Sequence, residues 1–215
     1  MHIYITGRHL NPPGPGEDRL IKIGRHWVRK GHKVIVFLSA DRMNLNLKEK
    51  KIGLTEQGGL VLVAFNTPEM LQDDQRNRKK GNRKFASLLN RQGKMLPEPD
   101  LILAVAPPLS TALAAEELSS ELKVPLILEI RAGLDKKEAR RGFLAGLFAR
   151  SRLRKEEKLL DAAEVIAVEG KAVAARIEGQ LTEKEKKKVN VIKGQESEEE
   201  LKAFYDCLLP EGDNK

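Results

Sequence analysis

The sequence contains very little cysteine, histidine and aromatic side chain. Cys207 is its one cysteine, so neither a disulfide framework nor a cysteine-based zinc site can form within one chain. The four histidines show no metal-ligand spacing. Aromatic residues make up 4% of the chain and no recognition motif is present, so nucleic acid is not an expected partner. We also expect no metal site and no bound cofactor.

Long hydrophobic runs are missing as well. No apolar stretch approaches the roughly 20 residues that a helix needs to span a bilayer. Residues 2–6 open directly as a strand, without the basic segment and apolar core of a secretory signal. We expect a cytoplasmic protein, with peripheral attachment to the inner face of a membrane as the alternative.

Positive charge exceeds negative charge, with 39 Lys and Arg against 31 Asp and Glu and a formal net charge of +8. The excess either favours an anionic partner, such as a nucleotide or a phospholipid surface, or only keeps the protein soluble. Much of it lies in two clusters, residues 76–94 and 140–158. Four large apolar residues accompany the second cluster: Phe143, Leu144, Leu147 and Phe148. This combination suits docking on an anionic membrane surface, unless the apolar residues face the sheet.

The stretch from residue 99 to residue 131 organises the rest of the chain. Two short apolar runs, residues 101–106 and 125–130, do not alternate with polar residues, which is typical of strands buried on both faces. Between them, Leu109, Leu113 and Leu122 have helical spacing. Strand, helix and strand form a right-handed βαβ unit.

The same alternation extends over the whole chain. Seven apolar runs predict strands, at residues 2–6, 33–39, 60–65, 101–106, 125–130, 163–168 and 189–193. Amphipathic stretches predict helices at residues 17–30, 137–161, 171–178 and 196–209. Residues 41–59 have no clear pattern. Phe85, Leu88 and Leu89 predict a helix in the second half of residues 66–94, and residues 76–83 are expected to form a mobile loop. The predicted fold class is α/β, a single doubly wound, Rossmann-like parallel sheet with helices on both faces.

Two groups of residues follow central strands, where ligands bind in doubly wound sheets. Pro107, Pro108 and Ser110 follow the strand at 101–106, and Ser110 is expected to cap the next helix. Glu129 and Arg131 end the strand at 125–130 and are expected to face the crevice. Arg131 could bind a phosphate or carboxylate in a fork, or these two residues could pair with each other or with neighbours.

A polar loop at residues 7–16 joins the first strand to the first helix. Gly14 and Gly16 could bring backbone N–H groups close to a phosphate at the helix N-terminus, or could serve only the turns of the connection. The third glycine of a dinucleotide fingerprint is replaced by Arg19, so a nicotinamide cofactor is not expected. His9, in the same loop, is a candidate general base.

Four sequence blocks follow one another along the chain: PPGPGE (12–17) with GRHWVRKGHKVIV (24–36), EPDLI (98–102) with APPLS (106–110), VPLILEIR (124–131), and DAAEVIAV (161–168) with KVNVIKG (188–194). In this order they resemble the N-terminal half of family 4 glycosyltransferases. The resemblance implies the GT-B fold, and the subgroup most similar to this chain assembles bacterial surface polysaccharides. Single phrases of this kind recur in α/β sheets, whereas their order and spacing are specific.

The resemblance implies an acceptor-binding half of a sugar transferase that uses a nucleotide sugar as its substrate. It implies seven substrate-binding residues: Gly14, Gly16, Pro107, Pro108, Ser110, Glu129 and Arg131. Its catalytic candidates are His9, Glu129 and Asp135. Asp135 enters only as a substitute, because the acid that follows the arginine in the family is Ala132 here.

The family holds its nucleotide sugar mainly in a second α/β domain, for which this sequence has no counterpart. We therefore expect a GT-B-like N-terminal domain at residues 1–194 and a C-terminal helix and tail at 195–215 that pack back on it. A separate donor-binding subunit is the expected partner. Two alternatives remain: a non-catalytic binding or regulatory module, and another GT-B activity such as sugar epimerisation.

Overall fold

The structure is a computed structural model, and it describes residues 1–11, 14, 16–43, 47, 50–67, 75–131, 150–178, 181–192 and 197–210. Within this part of the chain, eight strands form one sheet with helices on both faces. The predicted class, a doubly wound and Rossmann-like α/β sheet, is confirmed.

The order of the strands locates the crevice. The strands are β1 His2–Thr6, β2 Lys33–Ser39, β3 Ile52–Gln57, β4 Leu60–Phe65, β5 Leu101–Ala106, β6 Leu126–Ile130, β7 Val165–Glu169 and β8 Val189–Ile192. Across the sheet they run β3-β4-β2-β1-β5-β6-β7-β8, and every neighbouring pair except β3 and β4 is parallel. The order reverses between β1 and β5, so the crevice for a ligand lies at the carboxyl ends of these two strands.

Strand β3 lies in a segment for which the sequence predicts no element. It pairs antiparallel with β4 at the edge of the sheet, and its residues are half-buried or exposed. An edge strand of this kind needs no continuous apolar run, which is why hydrophobicity does not reveal it. The turn Gly58-Gly59, with both φ angles positive, is the hairpin signal that could have revealed it.

Besides one short 3-10 helix, Ala40–Met43, the described residues form seven α-helices. They are α1 Arg19–Arg29, α2 Gln75–Gly93, α3 Leu109–Leu122, α4 Arg150–Ala162, α5 Lys171–Glu178, α6 Glu183–Lys186 and α7 Glu198–Cys207. Residues 76–83 belong to α2, so the predicted mobile loop is wrong. Arginine and lysine are good helix formers, and a helix face turned to solvent needs no apolar residue. Of the helix predicted at 137–161, residues 137–149 lie outside the described residues.

The sheet separates two hydrophobic cores. One face carries α1 and α7, where Trp27 and Tyr205 pack with a ring-centroid distance of 6.4 Å. The other face carries α2, α3 and α4, where Phe37, Phe65 and Phe85 form a chain of ring contacts. Alternate residues of each buried strand point to opposite cores, which explains the continuous apolar runs in the sequence.

Helix α1 has a defined start and stop. Asp18 caps its N-terminus by accepting a hydrogen bond from the Leu20 N–H at 2.9 Å. Gly31 follows its C-terminus with φ of +88°, a left-handed conformation that favours glycine. None of the helices in the described part of the chain is long and apolar enough to cross a membrane.

The hairpin turn gives a test of the fold. Gly59→Ala should be more destabilising than Gly31→Ala, although both glycines have positive φ. A Cβ on Gly59 would lie 2.6 Å from Cγ1 of Val28, whereas a Cβ on Gly31 would meet nothing within 4 Å. Backbone strain alone costs about 1–2 kcal/mol, and the clash adds about 1–3 kcal/mol at Gly59. Urea unfolding followed by Trp27 fluorescence measures both losses. Equal losses would contradict the hairpin geometry.

Candidate functional site

Two groups of polar side chains lie at the carboxyl edge of the sheet, on opposite faces. The first, called here the ion network, comprises Asp18, Arg19, Glu129, Arg131, Glu169 and Tyr205. The second, called here the β1–α3 cluster, comprises Thr6, Arg8, His9, Arg42, Arg78, Asn82, Ser110 and Thr111. The two groups differ in how completely their polar atoms are bonded.

Glu129 is the centre of the ion network. It points from β6 toward α1 and α7, and its side chain is fully buried. Oε1 accepts from Nη2 of Arg19 and from Nε of Arg131, both at 2.5 Å, and Oε2 accepts from the Tyr205 hydroxyl at 2.6 Å. Burial alone would raise the pKa of this carboxyl, but the two guanidinium groups and the hydrogen bonds lower it below its usual value.

The two arginines also bond to carboxylates on other elements, and so connect Glu129 with them. Arg131 forms two bonds to Asp18, Nη1 to Oδ2 at 2.5 Å and Nη2 to Oδ1 at 2.8 Å. Arg19 donates from Nη1 to Oε1 of Glu169 at 2.7 Å. Burial lowers the pKa of each guanidinium, but the negative charge of Glu129 outweighs it, so both stay above their usual value. Glu129 and Arg131 are thus paired with each other and with neighbours in this structure, and their assignment to substrate stays a prediction.

Gly14 and Gly16 lie in the loop before α1, with φ of +139° and +73°. The Gly14 carbonyl accepts from the Glu17 N–H at 3.0 Å, and the Gly16 carbonyl accepts from Nδ2 of Asn11 at 3.0 Å. Asp18 already places a carboxylate at the N-terminus of α1. A phosphate at that position would meet this negative charge, so the loop has the geometry of a connection.

Arg8 is the buried cation of the β1–α3 cluster. It follows β1, is 0% exposed, and donates from Nη1 to Oδ1 of Asn82 and to the Arg78 carbonyl (3.3 Å). Burial lowers its pKa, an effect that the nearby charge of Asp41 opposes and that of Arg42 increases. Arg8 thus joins the carboxyl end of β1 to the N-terminal half of α2.

His9 lies among three positive charges. Burial, together with the guanidinium groups of Arg8, Arg42 and Arg78, lowers its pKa to about 3. A general base works best with a pKa near the working pH, so in this structure His9 is a neutral and weakly basic imidazole. Negative charge bound nearby would raise its pKa.

The first turn of α3 completes the cluster. Pro107 and Pro108 precede the helix, each after a cis peptide bond, and Pro108 is its N-cap with no side-chain hydrogen bond. Ser110 does not cap the helix, and that prediction is wrong. Because Ser110 comes two residues after the N-cap, its hydroxyl is not at the capping position. Within the described residues, the hydroxyls of Ser110 and Thr111 have no hydrogen-bond partner.

Several site residues were missed by sequence reasoning. Asp18 immediately precedes an amphipathic run, which is an N-cap signal. Arg8 follows the first strand at the topological switch point, which is where ligands bind in such sheets. No local signal identifies Tyr205 or Asn82, because their roles depend on contacts with residues far away in the chain.

Asp135, the first part of the second basic cluster (residues 140–149) and the four apolar residues beside it, Phe143, Leu144, Leu147 and Phe148, lie outside the described residues, whereas residues 150–158 of the cluster belong to α4. In the described ranges, no group of three or more His, Cys, Asp or Glu is arranged to hold a metal ion.

Comparison with known proteins gives a match in structure alone. No family model matches the sequence, and no curated protein matches it in a sequence search. Solved structures of glycosyltransferases do match over most of the chain. The chain has the GT-B type of Rossmann-like fold.

Three of these structures show the extent of the match. Sucrose-phosphate synthase from Thermosynechococcus elongatus has a TM-score of 0.62 and 12% identity, with 90% of this chain and 48% of that one covered. HepE from Anabaena, in complex with UDP and glucose, has a TM-score of 0.52 and 17% identity, covering 90% and 44%. Starch synthase IV from Arabidopsis thaliana, bound to ADP and acarbose, has 0.52 and 14%, covering 89% and 51%. This chain spans about half the length of each.

The ion network gives a prediction that separates it from ordinary buried hydrogen bonds. At pH 7, Tyr205→Phe should cost about 1.5–3 kcal/mol, because it removes a donor to a buried carboxylate. Tyr4→Phe is the matched control: it also removes one buried hydroxyl, but that hydroxyl donates to the carbonyls of Gly93 and Pro97. Its expected cost is about 0.5–1.5 kcal/mol.

The pH dependence of the two variants should differ. Glu129 has a lowered pKa in the folded state, so its stabilisation is present above the ordinary value of 4.5 and is lost as pH falls through the folded pKa. The cost of Tyr205→Phe should therefore shrink in acid, while that of Tyr4→Phe stays constant. Urea unfolding between pH 3 and pH 8 measures both, and parallel profiles would contradict an ionised Glu129.

Proposed function

We propose that this chain is the acceptor-side half of a glycosyltransferase of the family 4 type, which transfers a sugar from a nucleotide sugar. The observation that carries the proposal is the GT-B type of fold. The structural match covers about 90% of this chain but only about half the length of each neighbour. The order of the four sequence blocks supports the same assignment.

The acceptor is proposed to bind at the β1–α3 cluster. This cluster lies at the switch point between β1 and β5, where a ligand of a doubly wound sheet is expected. The hydroxyls of Thr6, Ser110 and Thr111 in this cluster have no hydrogen-bond partner within the described residues, whereas Glu129 and Arg131 of the ion network are bonded to each other and to neighbours. The donor nucleotide is proposed to bind to a second α/β domain, supplied by a partner subunit.

A non-catalytic binding module is the second candidate. The ion network favours it, because two of the residues assigned to substrate by the resemblance, Glu129 and Arg131, are used inside the fold. In this alternative the chain docks on a glycosyltransferase without contributing to sugar transfer.

Kinetics of the assembled complex distinguish these roles. The chain is purified from its source with its bound partner, and sugar transfer is measured with a panel of labelled nucleotide sugars. Arg42→Gln should raise the KM for the acceptor by about tenfold or more, since it removes a cation next to His9, and should leave the KM for the nucleotide sugar unchanged. Lys22→Gln is the control, because it removes an exposed cation on α1, on the opposite face of the sheet.

Three results would contradict the proposal. A raised KM for the nucleotide sugar in Arg42→Gln would make this the donor side. Binding of a nucleotide sugar to the isolated chain, measured by calorimetry, would show that a donor site exists without a partner. Unchanged kinetics in every variant of the cluster would favour the binding module.

Attachment to an anionic membrane surface is a further part of this proposal. It rests on the outer face of α2, where exposed cations follow one another: Arg76, Lys79, Lys80, Arg83 and Arg91. Each basic residue near an anionic surface contributes about 1 kcal/mol. Replacing Lys79, Lys80 and Arg83 with glutamine should lower the affinity for phosphatidylglycerol vesicles about hundredfold. Co-sedimentation measures this, and equal binding to phosphatidylcholine vesicles would contradict it.

A further inference from the structure

We infer that the β1–α3 cluster binds a phosphoryl group, held between the first turn of α3 and the cations that follow β1 and β2. That this phosphoryl group belongs to the sugar acceptor rests on the proposed function, whereas the binding itself rests only on the structure. The chemical class of ligand is a phosphate monoester or an equivalent dianion.

The N-terminus of α3 is open to an anion. Helix α3 has 14 residues, begins after Pro108, and has neither a side-chain cap nor an acidic residue in its first turn. The N–H groups of Thr111 and Ala112 bond to the Pro108 carbonyl, and those of Leu109 and Ser110 have no acceptor within the described ranges. Free N–H groups and the positive end of the helix dipole favour a phosphate.

Buried hydroxyls at this edge also lack partners. Thr111, in the first turn of α3, is 0% exposed, and Thr6, at the end of β1, is 1% exposed. Neither hydroxyl has a hydrogen-bond partner in the part of the chain that the structure describes. The Cα–Cβ bond of a helical residue tilts toward the helix N-terminus, so the Thr111 side chain leans toward the open turn. Buried polar groups are normally bonded, so a ligand is the natural acceptor or donor for these two.

Positive charge converges on the same place. Arg8 is fully buried beside α2, and Arg42 and Arg78 are close enough for their charges to act on His9. Among the described residues, the carboxylate of Asp41 also acts on Arg8, where its effect on the pKa is opposed by the adjacent Arg42. Arginine is well suited to phosphate because its planar guanidinium can donate two parallel hydrogen bonds.

Helix packing brings the cations level with the open turn. Helices α2 and α3 run in the same direction, as Asn90 bonds to Glu117 and Lys94 pairs with Glu121, both offsets being 27 residues. Applying the same offset to Asn82, which accepts a bond from Arg8, gives Leu109, the first residue of α3. Both helices rise 1.5 Å per residue, so Arg8 and the first turn of α3 lie at one height.

Helix α1 provides the internal contrast. Its N-terminus lies at the same edge of the sheet but is filled by the carboxylate of Asp18, which Arg131 also binds. The two helix N-termini therefore differ: that of α1 already holds the carboxylate of Asp18, whereas that of α3 favours binding of an external anion.

Calorimetric titration of the full chain with inorganic phosphate and with glycerol 3-phosphate tests the inference, with neutral glycerol as the blank. Both phosphates should bind and glycerol should not. Thr111→Val and Ser110→Ala preserve side-chain volume and each should weaken binding about fivefold to tenfold, as expected for one hydrogen bond to a charged group. Ser87→Ala, which removes an exposed hydroxyl on α2, should bind as the parent does.

Proton NMR of the four histidines locates the bound phosphate. His9 lies at the carboxyl edge, whereas the other three histidines lie at the opposite edge: His2 begins β1, His32 precedes β2 and His26 lies in the last turn of α1. Phosphate should shift the resonance of His9 and leave the other three in place. Shifts at His26 or His32, no binding of either phosphate, or unchanged affinity in both hydroxyl variants would overturn the inference.

Two further titrations identify the source of the phosphoryl group. Binding of a soluble hexose phosphate supports a sugar phosphate as ligand, and binding of short-chain phosphatidic acid supports a lipid phosphate. The inference and the proposed function can fail separately. If phosphate binds but Arg42→Gln has no effect on sugar transfer, only the assignment to the acceptor is contradicted. If acceptor kinetics change but phosphate does not bind, only the phosphate site is contradicted.

Discussion

Glu129 is a charged residue in the interior of a parallel sheet. The elements around it supply the donors that stabilise this buried carboxylate in its ionised form. An unpaired carboxylate at this depth would cost several kcal/mol. Three donors from three different elements surround it: Arg19 of α1, Arg131 after β6 and Tyr205 of α7. Removing any one of these elements would expose or orphan the charge, so α1, β6 and α7 are mutually dependent.

Most of the sheet could be predicted because buried parallel strands are apolar stretches that can be recognised in the sequence alone. Seven of the eight described strands coincide, within one or two residues, with the apolar stretches of the sequence. The exception, Ile52–Gln57, is an edge strand with exposed residues, and its signature is the turn that follows it. The N-terminal half of α2 was missed for a related reason: its outer face is so basic that helical periodicity in apolar residues begins only near Phe85.

The site was harder to predict than the fold, because its chemistry arises between elements. Sequence places Glu129 and Arg131 at the end of a central strand, but it cannot tell whether they face a ligand or each other. Their bonds to Tyr205 and Asp18 span 76 and 113 residues of sequence. Arg8 was missed because a single arginine in a loop is common, and only its depth makes it unusual.

The position of Tyr205 late in the sequence has a consequence for folding during synthesis. Glu129 is synthesised 76 residues before Tyr205, whose hydroxyl donates a hydrogen bond to Oε2 of Glu129. At a synthesis rate of about 5–20 residues per second, this interval lasts roughly 4–15 seconds. During this interval, the carboxylate of Glu129 lacks the hydrogen bond from Tyr205. The apolar surface of α1 that α7 later covers is also still open. At this stage the ribosome-bound chain therefore exposes groups that the finished protein buries, and exposed apolar surface favours misassembly.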